Sequence, residues 1–483
     1  MSVERQFSRG VAWMALGNWV EQAVNFAVFV TLARLLGARD YGLLAMASVF
    51  IVLCEQMVRE SLSEYLIAHP DPQPQDWNAT FWLLVALGLV LAAGLALIAP
   101  LAARTYGEPQ VTGLIRALSL SVPIVALNAV PVAILRRELH FRTLSLRAIA
   151  GVVLGGVVGI GMALYGFGVW SFVGQWLTLI LTNAVLAWGA VDWRPGPVPG
   201  RAALLAAGHF GAKVLGLRAG EMAATQVPLL LTGALFGPVA AGLYGLAWRL
   251  VETLSFLIIT PLRQASQSAF AALGRSGPGL AGRLMRDVLV LAGTVAFPFF
   301  TGLSLLSAPM IALIFGPGWT EAAPVLAILA AIGLYICLSR IQTVFALAAG
   351  RAGVVGVLVW TTVGLMALLI WVAARQGDTG APWVAGAVVA AHFLVWPALF
   401  VTVARLSGQP LAALVLPQIA PLFGSLVMAV PVVAIARLLD GHSPILVLGV
   451  AVPAGVVTYL LVCLAVMRDR FTLFRTLARG GAS

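Results

Sequence analysis

NATFWLLVALGLVLAAGLALIAPLAA, residues 78–103, runs for 26 consecutive positions without a charged side chain. About 20 apolar helical residues cross the ~30 Å hydrocarbon core of a bilayer, so this stretch reads as a membrane span. Its neighbours read the same way. Apolar segments follow one another from about Gly10 to Met467, and 61% of the 483 residues are hydrophobic against 10% charged. Soluble domains average roughly 45–50% and 25%. Lipid cannot satisfy exposed peptide groups, and the runs are too long and continuous for barrel strands. The sequence therefore predicts an all-α polytopic membrane protein whose function is performed inside or across a bilayer.

Fourteen transmembrane helices are predicted, at 10–34, 41–65, 78–103, 112–135, 144–165, 168–190, 206–235, 239–262, 284–308, 322–349, 353–374, 383–404, 411–437 and 444–467. Pro123, Pro298 and Pro431 mark candidate kinks, which neighbouring helices can accommodate in a bilayer. The connections are short: Gly-Ala-Arg-Asp at 37–40, Phe-Gly-Pro at 236–238, Phe-Gly-Pro-Gly-Trp at 315–319. The longest outer loops, near 308–322 and 374–383, cannot house a separate domain.

Arginine placement orients the chain. Of the 29 lysines and arginines, 18 fall on the side of the N-terminus, among them Arg136, Arg137, Arg142 and Arg147. Five fall on the opposite side (Arg34, Arg39, Arg104, Arg375 and Arg437), and the remainder lie within spans. Both termini are therefore expected in the cytoplasm. The net charge of +11 follows from this asymmetry against anionic headgroups, and nucleic acid is not an expected partner. Cys54, Cys337 and Cys463 all fall within spans, are odd in number and lack metal-ligand spacing, so they read as core residues. The first span is too long for a cleavable signal and has no small-residue cleavage site.

Residues 10–60 superpose on 210–260 without a gap. Ala12 meets Ala212, Glu21 meets Glu221, Leu35 meets Leu235, Gly37 meets Gly237, and Gly42-Leu43 meets Gly242-Leu243. Coincident glutamates within spans, followed by one Gly-x-x-x-x-Gly-Leu pattern, read as duplication. Six spans separate the repeats, so both halves enter the membrane in the same direction. Two six-helix lobes related by a pseudo-two-fold axis along the membrane normal are expected: 1–200, then 201–406, with 407–483 adding two helices and a basic cytoplasmic tail. Two lobes around a cleft suit alternating access.

An ionisable group within a span carries a penalty of at least ~2.5–3.5 kcal/mol on insertion scales, so each should face protein, water or a partner. Asn18, Glu21, Gln22 and Asn25 form one polar stripe at three-to-four spacing. Lys213 (the sole lysine), Arg218, Glu221 and Thr225 occupy the matching region of the seventh span, and Arg249 with Glu252 lie in the eighth. Glu55 with Arg59 ends the second span, and Arg340 stands in the tenth. The plain reading of Glu55–Arg59, Arg218–Glu221 and Arg249–Glu252 is intrahelical neutralisation. Polar faces on matched elements of both lobes instead suggest a wet cleft. His392, alone among apolar neighbours, reads as a satisfied buried histidine. No Gly-Lys-Ser/Thr phosphate loop, His-Glu-x-x-His or nucleotide domain is present, so no enzymatic chemistry and no cofactor are expected. Energy must come from H⁺, Na⁺, the potential or the substrate's own gradient.

Three segments carry a family resemblance. Leu36-Gly37 ahead of Tyr41-Gly42-Leu43 resembles the opening of the polysaccharide transporters of the MATE/oligosaccharidyl-lipid/polysaccharide exporter superfamily. Leu135-Arg136-Arg137-Glu138-Leu139-His140-Phe141-Arg142 is similar to that family's basic connection. Ile314-Phe315-Gly316-Pro317-Gly318-Trp319, followed by Ala322-Ala323-Pro324, resembles its ninth-to-tenth hairpin. The resemblance implies a Wzx-type flippase. Such a protein moves an undecaprenyl-diphosphate-linked O-antigen or exopolysaccharide unit from the cytoplasmic to the outer leaflet, beside membrane lipids and a polysaccharide polymerase and export machinery. On this reading Lys213, Arg218, Arg249 and Arg340 meet the diphosphate. Asn18, Glu21, Asn25, Glu221, Thr225 and Glu252 line the passage or hold a coupling ion.

A MATE-type drug exporter should have an acidic cavity, whereas basic residues dominate the seventh, eighth and tenth spans. A peptidoglycan-precursor (lipid II) flippase differs by its glycan, on which the sequence is silent. A membrane polymerase or ligase would need a long outer loop. A rigid scaffold leaves the repeat unexplained.

Overall fold

A computed structural model describes residues 3–61, 66, 73–273, 278–375 and 380–466. Side chains are described throughout these ranges apart from 3–16, 60–61, 202–203, 206–207, 209–219, 221, 261, 264–269, 271–273 and 278–279. Helices and the segments that join them make up everything described.

The helices are α1 Val3–Ser61, α2 Pro74–Tyr106, α3 Gln110–Ser119, α4 Ser121–Arg137, α5 Phe141–Leu164, α6 Trp170–Gly189, α7 Arg201–Leu273 and α8 Pro278–Leu305. They continue as α9 Ser307–Phe315, α10 Ala322–Ala348, α11 Ala352–Ala374, α12 Ala381–Ser407, α13 Leu411–Val415, α14 Ile419–Leu438 and α15 Pro444–Val466. Among the described residues twelve helical stretches are long and apolar enough to cross a membrane. Two of these, Gly17–Arg59 and Met222–Thr260, each join two helices across a glycine. The expectation of fourteen treats each of these as a pair. The predicted 112–135 span divides at Leu120 into α3 and α4, and the predicted outer loop near 308–322 is largely helical, as α9 and a 3₁₀ turn over Pro317–Trp319.

The glycine breaks decide the path of the chain. Gly37 (φ 77°, ψ 179°), Gly237 (φ 82°, ψ −176°) and Gly316 (φ 87°, ψ −178°) share one conformation. This region is open in practice only to glycine. Glu21 and Arg59 lie thirty-eight positions apart, about 57 Å along a straight helix at ~1.5 Å per residue. They line one small cavity, so α1 doubles back at Gly37. The backbone after each turn approaches the other closely: a Cβ at Gly42 would overlap the carbonyl of Pro238, and a Cβ at Gly242 would overlap the carbonyl of Ala38. Backbone meets backbone reciprocally there, which explains why both positions are glycine.

By its internal contacts the chain divides into Met1–Gly242 and Leu243–Ser483, the division falling inside α7. In the first unit, α5 and α6 pack through small residues. Cβ atoms at Gly151, Gly155 and Gly159 would run into Asn183, the Gln175 carbonyl and the Gln175 side chain respectively. Four-residue spacing puts these glycines in one row along α5, and a stripe of small residues is how helices approach closely where lipid offers no hydrophobic drive. Gly17 on Ser145 and Gly156 on Val28 hold α1 alongside α5 in the same way. At one end of the unit Phe81, Trp82, Trp188 and Trp193 stack edge to face, with Arg194 over Trp188. Trp82 Nε1 donates to Gly196 O at 2.9 Å, fastening the segment after α6 onto α2. Aromatic clusters of this kind suit a membrane interface.

In the second unit side-chain hydrogen bonds also tie helix to helix. Tyr459 of α15 donates to Thr294 O of α8 at 2.7 Å, Ser304 to Ala327 O of α10 at 2.8 Å, and Trp396 Nε1 to Gln342 Oε1 at 2.9 Å. Elsewhere the surface is apolar: Leu97 of α2 is 80% exposed and Val430 of α14 70% exposed. Such area on a water-facing protein would be an aggregation surface, and here it is where lipid sits.

Candidate functional site: a cationic cavity in the first unit

α1, α4, α5 and α6 line a half-open cavity of about 220 Å³. Its polar lining is Glu21 and Arg59 from the two arms of α1, Asn128 and Arg136 from α4, Arg147 from α5 and Asn183 from α6. Val125, Ala129, Val132, Ala133, Ala148, Leu179 and Ile180 complete the wall. Three guanidinium groups face one carboxylate.

The glycine row of α5 builds this site. Arg147, Gly151, Gly155 and Gly159 are spaced by four, so Arg147 continues the face that packs on α6. Asn183 lies on the opposing face, against Gly151. Close packing thereby carries a guanidinium into the protein. Arg147 is half-buried and feels the charges of Arg59, Arg136 and Glu21. Its Nε and Nη1, with Asn128 Oδ1 and Asn183 Oδ1, are shielded from solvent and have no hydrogen-bond partner among the described residues.

Glu55 behaves differently. It is only 4% exposed and fully engaged: Ser121 Oγ donates to Oε1 at 2.5 Å, Trp176 Nε1 donates to Oε1 at 3.0 Å, and Arg59 Nη2 lies 3.4 Å from Oε2. The intrahelical pair read from the sequence is formed, and the carboxylate clamps α1 to α4 and α6. Its role is structural, and it leaves the other side of Arg59 toward the cavity.

The residues singled out from sequence are distributed as follows. Glu21 lines the cavity. Asn18 is exposed, Asn25 is half-buried and engaged, and Thr225 donates back to Met222 O at 3.0 Å within its own helix. In the second unit Glu252 lies within electrostatic reach of Arg340 and Arg249, Arg340 is half-buried and Arg249 has partners of its own. The side chains of Lys213, Arg218 and Glu221 lie outside the described residues. His392 is buried, with Nδ1 2.7 Å from Val388 O and its ring against Tyr335, a satisfied core histidine as its setting suggested.

Asn128, Arg136, Arg147 and Asn183 are not among the candidates read from the sequence, and Arg59 enters there only as the partner of Glu55. Arg136 and Arg147 read as loop charges that orient the chain, yet both line a cavity. The available signal was the four-residue row from Arg147 through the glycines. The second unit has a larger cavity of about 550 Å³ between α8, α9, α14 and α15, and its lining, including Phe299, Leu306, Met428 and Val456, is almost wholly apolar.

Succinoglycan biosynthesis transport protein ExoT of Rhizobium meliloti (strain 1021) is 25% identical over 323 residues, which cover 67% of this chain and 65% of that protein, just under two thirds of its length. Teichuronic acid biosynthesis protein TuaB of Bacillus subtilis (strain 168) is 23% identical over 415 residues, 84% of each chain. Lipopolysaccharide biosynthesis protein WzxC of Escherichia coli (strain K12) is 22% identical over 340 residues, 69% of this chain and 68% of its own. Among solved structures, the lipid II flippase MurJ in an inward closed conformation matches with a TM-score of 0.76 at 13% identity, over 94% of this chain and 99% of that one. An inward-facing multidrug resistance MATE family transporter matches with a TM-score of 0.55 at 17% identity, over 84% and 96%. At such identities the likeness is one of fold, and the fold is that of the MATE and MurJ transporters. The sequence model described as polysaccharide biosynthesis protein matches residues 31–324, more than half of the chain, and the chain belongs to that family.

Proposed function

We propose that the chain is a flippase that carries an undecaprenyl-diphosphate-linked oligosaccharide, an O-antigen or exopolysaccharide repeat unit, from the cytoplasmic to the outer leaflet by alternating access. It is a transporter and not an enzyme. The family match over residues 31–324 carries this reading, since the relatives named above serve succinoglycan, teichuronic acid and lipopolysaccharide biosynthesis. The likeness to MurJ is compatible with a lipid II substrate but rests on fold alone, so it does not displace a polysaccharide precursor.

The physical logic is charge. A diphosphate drawn through an apolar barrier needs preplaced cations, and arginine matches phosphate geometry with paired donors. Lys213, Arg218, Arg249 and Arg340 are assigned to the diphosphate. Asn18, Glu21, Asn25, Glu221, Thr225 and Glu252 are assigned to sugar hydroxyls or a coupling H⁺ or Na⁺. The six-helix lobes 1–200 and 201–406 would rock about the passage while the lipid tail stays in the bilayer. The setting is a bacterial inner membrane with both termini cytoplasmic, alongside a polymerase and export machinery.

The test is polymer export in cells that depend on this chain. Joint replacement of Arg218, Arg249 and Arg340 by Gln, at normal protein level, should abolish export. Intact export would remove the assignment of these residues.

A further inference from the structure

We propose that α8 turns about a hinge at Pro298 whose latch is the Tyr459 hydroxyl, with the apolar cavity of the second unit as the room into which the helix moves. The hinge stands on the second unit alone; only its part in transport rests on the reading of the chain as a flippase.

A proline inside a helix withholds an N–H from the carbonyl four residues back and crowds that carbonyl with its ring, so the helix bends there. Pro298 does this to Thr294 O, and the Tyr459 hydroxyl of α15 donates to that oxygen at 2.7 Å. A bond missing from the ladder is thus replaced by one from a different helix. Pro100 in α2 shows the same arrangement, since Ala96 O accepts from Arg116 Nε of α3 at 3.3 Å. The two prolines stand 198 positions apart, close to the offset of the internal repeat, in the third predicted span of each half. Pro131, Pro397, Pro431 and Pro453 also lie inside helices, but among the described residues no side chain donates to the carbonyls four residues before them. The substitute donor therefore belongs to matched elements of the repeat, and of the two bonds the one at Thr294 is the shorter.

α8 is built as a hinge and not as a fixed bend, because its halves are held by different neighbours. Before Pro298, a Cβ at Gly282 would overlap the Ser407 carbonyl and one at Gly293 the Gln418 side-chain amide. That half lies tight against the end of α12 and the turn that leads into α14. After Pro298, the Phe300 ring occupies the place a Cβ at Gly333 of α10 would take, and Ser304 donates to Ala327 O of the same helix at 2.8 Å. Thr294, Pro298, Gly302 and Leu306, spaced by four on one face of the chain, border the cavity of about 550 Å³, and Tyr459 lines it too. Protein interiors are close-packed, so an apolar space of this size beside a broken ladder leaves the helix unopposed on that face. A Cβ at Gly302 would meet nothing within 4 Å. Tyr459 is a positioning residue, and it gives a role to α15, one of the two helices beyond the repeat.

Spin labels at Leu280→Cys and Ala308→Cys flank the hinge, both positions being exposed, on a full-length chain with Cys54, Cys337 and Cys463 replaced by Ala. Pulsed electron resonance in nanodiscs gives the distance distribution between them without substrate. Wild type should show one major, latched distance and a minor second one. Tyr459→Phe keeps the ring and removes the donor, and should raise the minor population relative to the major by roughly two- to tenfold, the range for one hydrogen bond. Gly302→Leu fills the cavity and should narrow the distribution to the latched distance, even in the Tyr459→Phe chain. Pro298→Ala restores the ladder at Thr294, and Tyr459→Phe should then add nothing. If Pro298→Ala does not fold, the Gly302 and Tyr459 variants decide between the outcomes. An unchanged distribution in Tyr459→Phe, whatever its melting temperature, would overturn the latch and leave a static tie. A Gly302→Leu distribution as broad as that of wild type would overturn the cavity as the room for motion.

Leaflet exchange measured on the same chains keeps the two readings apart. Distances that shift as expected in a chain that exchanges nothing would support the hinge and sink the flippase reading alone. Exchange by Gly302→Leu at the wild-type rate, with its distances narrowed, would overturn the part of the hinge in transport.

Discussion

Glu55→Ala offers a direct measure of what holds the first unit together. The carboxylate is 4% exposed and accepts from Ser121 at 2.5 Å and Trp176 at 3.0 Å, while its third neighbour, Arg59, is 55% exposed at 3.4 Å. Hydrogen bonds to a charged group contribute about 1.5–3 kcal/mol each, but removing the carboxylate also removes the penalty of burying it. The net loss expected for Glu55→Ala is about 3 kcal/mol, with the Ser121 and Trp176 donors left unpaired. Glu55→Gln keeps an acceptor and should lose about half as much. Arg59→Gln removes only a partly exposed ion pair and should stay below about 1 kcal/mol. Heating each variant in detergent and following tryptophan fluorescence gives the ranking, with Ser121→Ala as a cross-check expected to fall near Glu55→Gln. Should Arg59→Gln destabilise as much as Glu55→Ala, the ion pair would hold these helices and the clamp described here would be wrong.

The glycine breaks and the glycine row yield further expectations. Gly37→Ala and Gly237→Ala each place a Cβ where only glycine is comfortable and should cost about 1–3 kcal/mol, whereas Gly161→Ala, in open space within α5, should be close to neutral. Equal melting of all three variants would refute the strain argument. Gly155→Val drives a branched side chain into the Gln175 carbonyl and Leu179, so α5 must leave α6 at a cost of about 1–3 kcal/mol. A Gly155→Val variant that melts with the wild type would detach the glycine row from the packing of α5 on α6.

Much of the fold was legible because the bilayer constrains it. Charge-free runs such as 78–103 set helix positions, and the match of residues 10–60 to 210–260 pairs Gly37 with Gly237, which share one backbone conformation. What hydropathy does not encode is the length of a turn. The 37–40 and 236–238 segments read as connecting loops, whereas one glycine at positive φ suffices in each case. Mid-span breaks such as Leu120 escaped for the same reason, since α3 and α4 are one apolar run.

The site was less legible. Counting arginines by side treats each as a solvated topological marker, a rule that holds for Arg142, which is exposed. It fails for Arg147, whose place in a glycine row sends it toward α6. Glu21 was visible because a lone carboxylate in an apolar run stands out, while Asn128 and Asn183 are uncharged and carry no such contrast. The side chains of the cations chosen from the seventh span, Lys213 and Arg218, lie outside the described residues, so their part in transport stands as a proposal.

Leaflet exchange by the purified chain is the most direct test of the account. Proteoliposomes are loaded with a fluorescent undecaprenyl-diphosphate-linked oligosaccharide, and a membrane-impermeant glycosidase or quencher reports the fraction that reaches the other leaflet. Wild-type chain should expose lipid-linked glycan well above the protein-free rate, and the Arg218, Arg249 and Arg340 to Gln variant should not. Wild-type exchange no faster than empty liposomes, under every imposed H⁺ or Na⁺ gradient, would contradict the claim that this chain is a flippase.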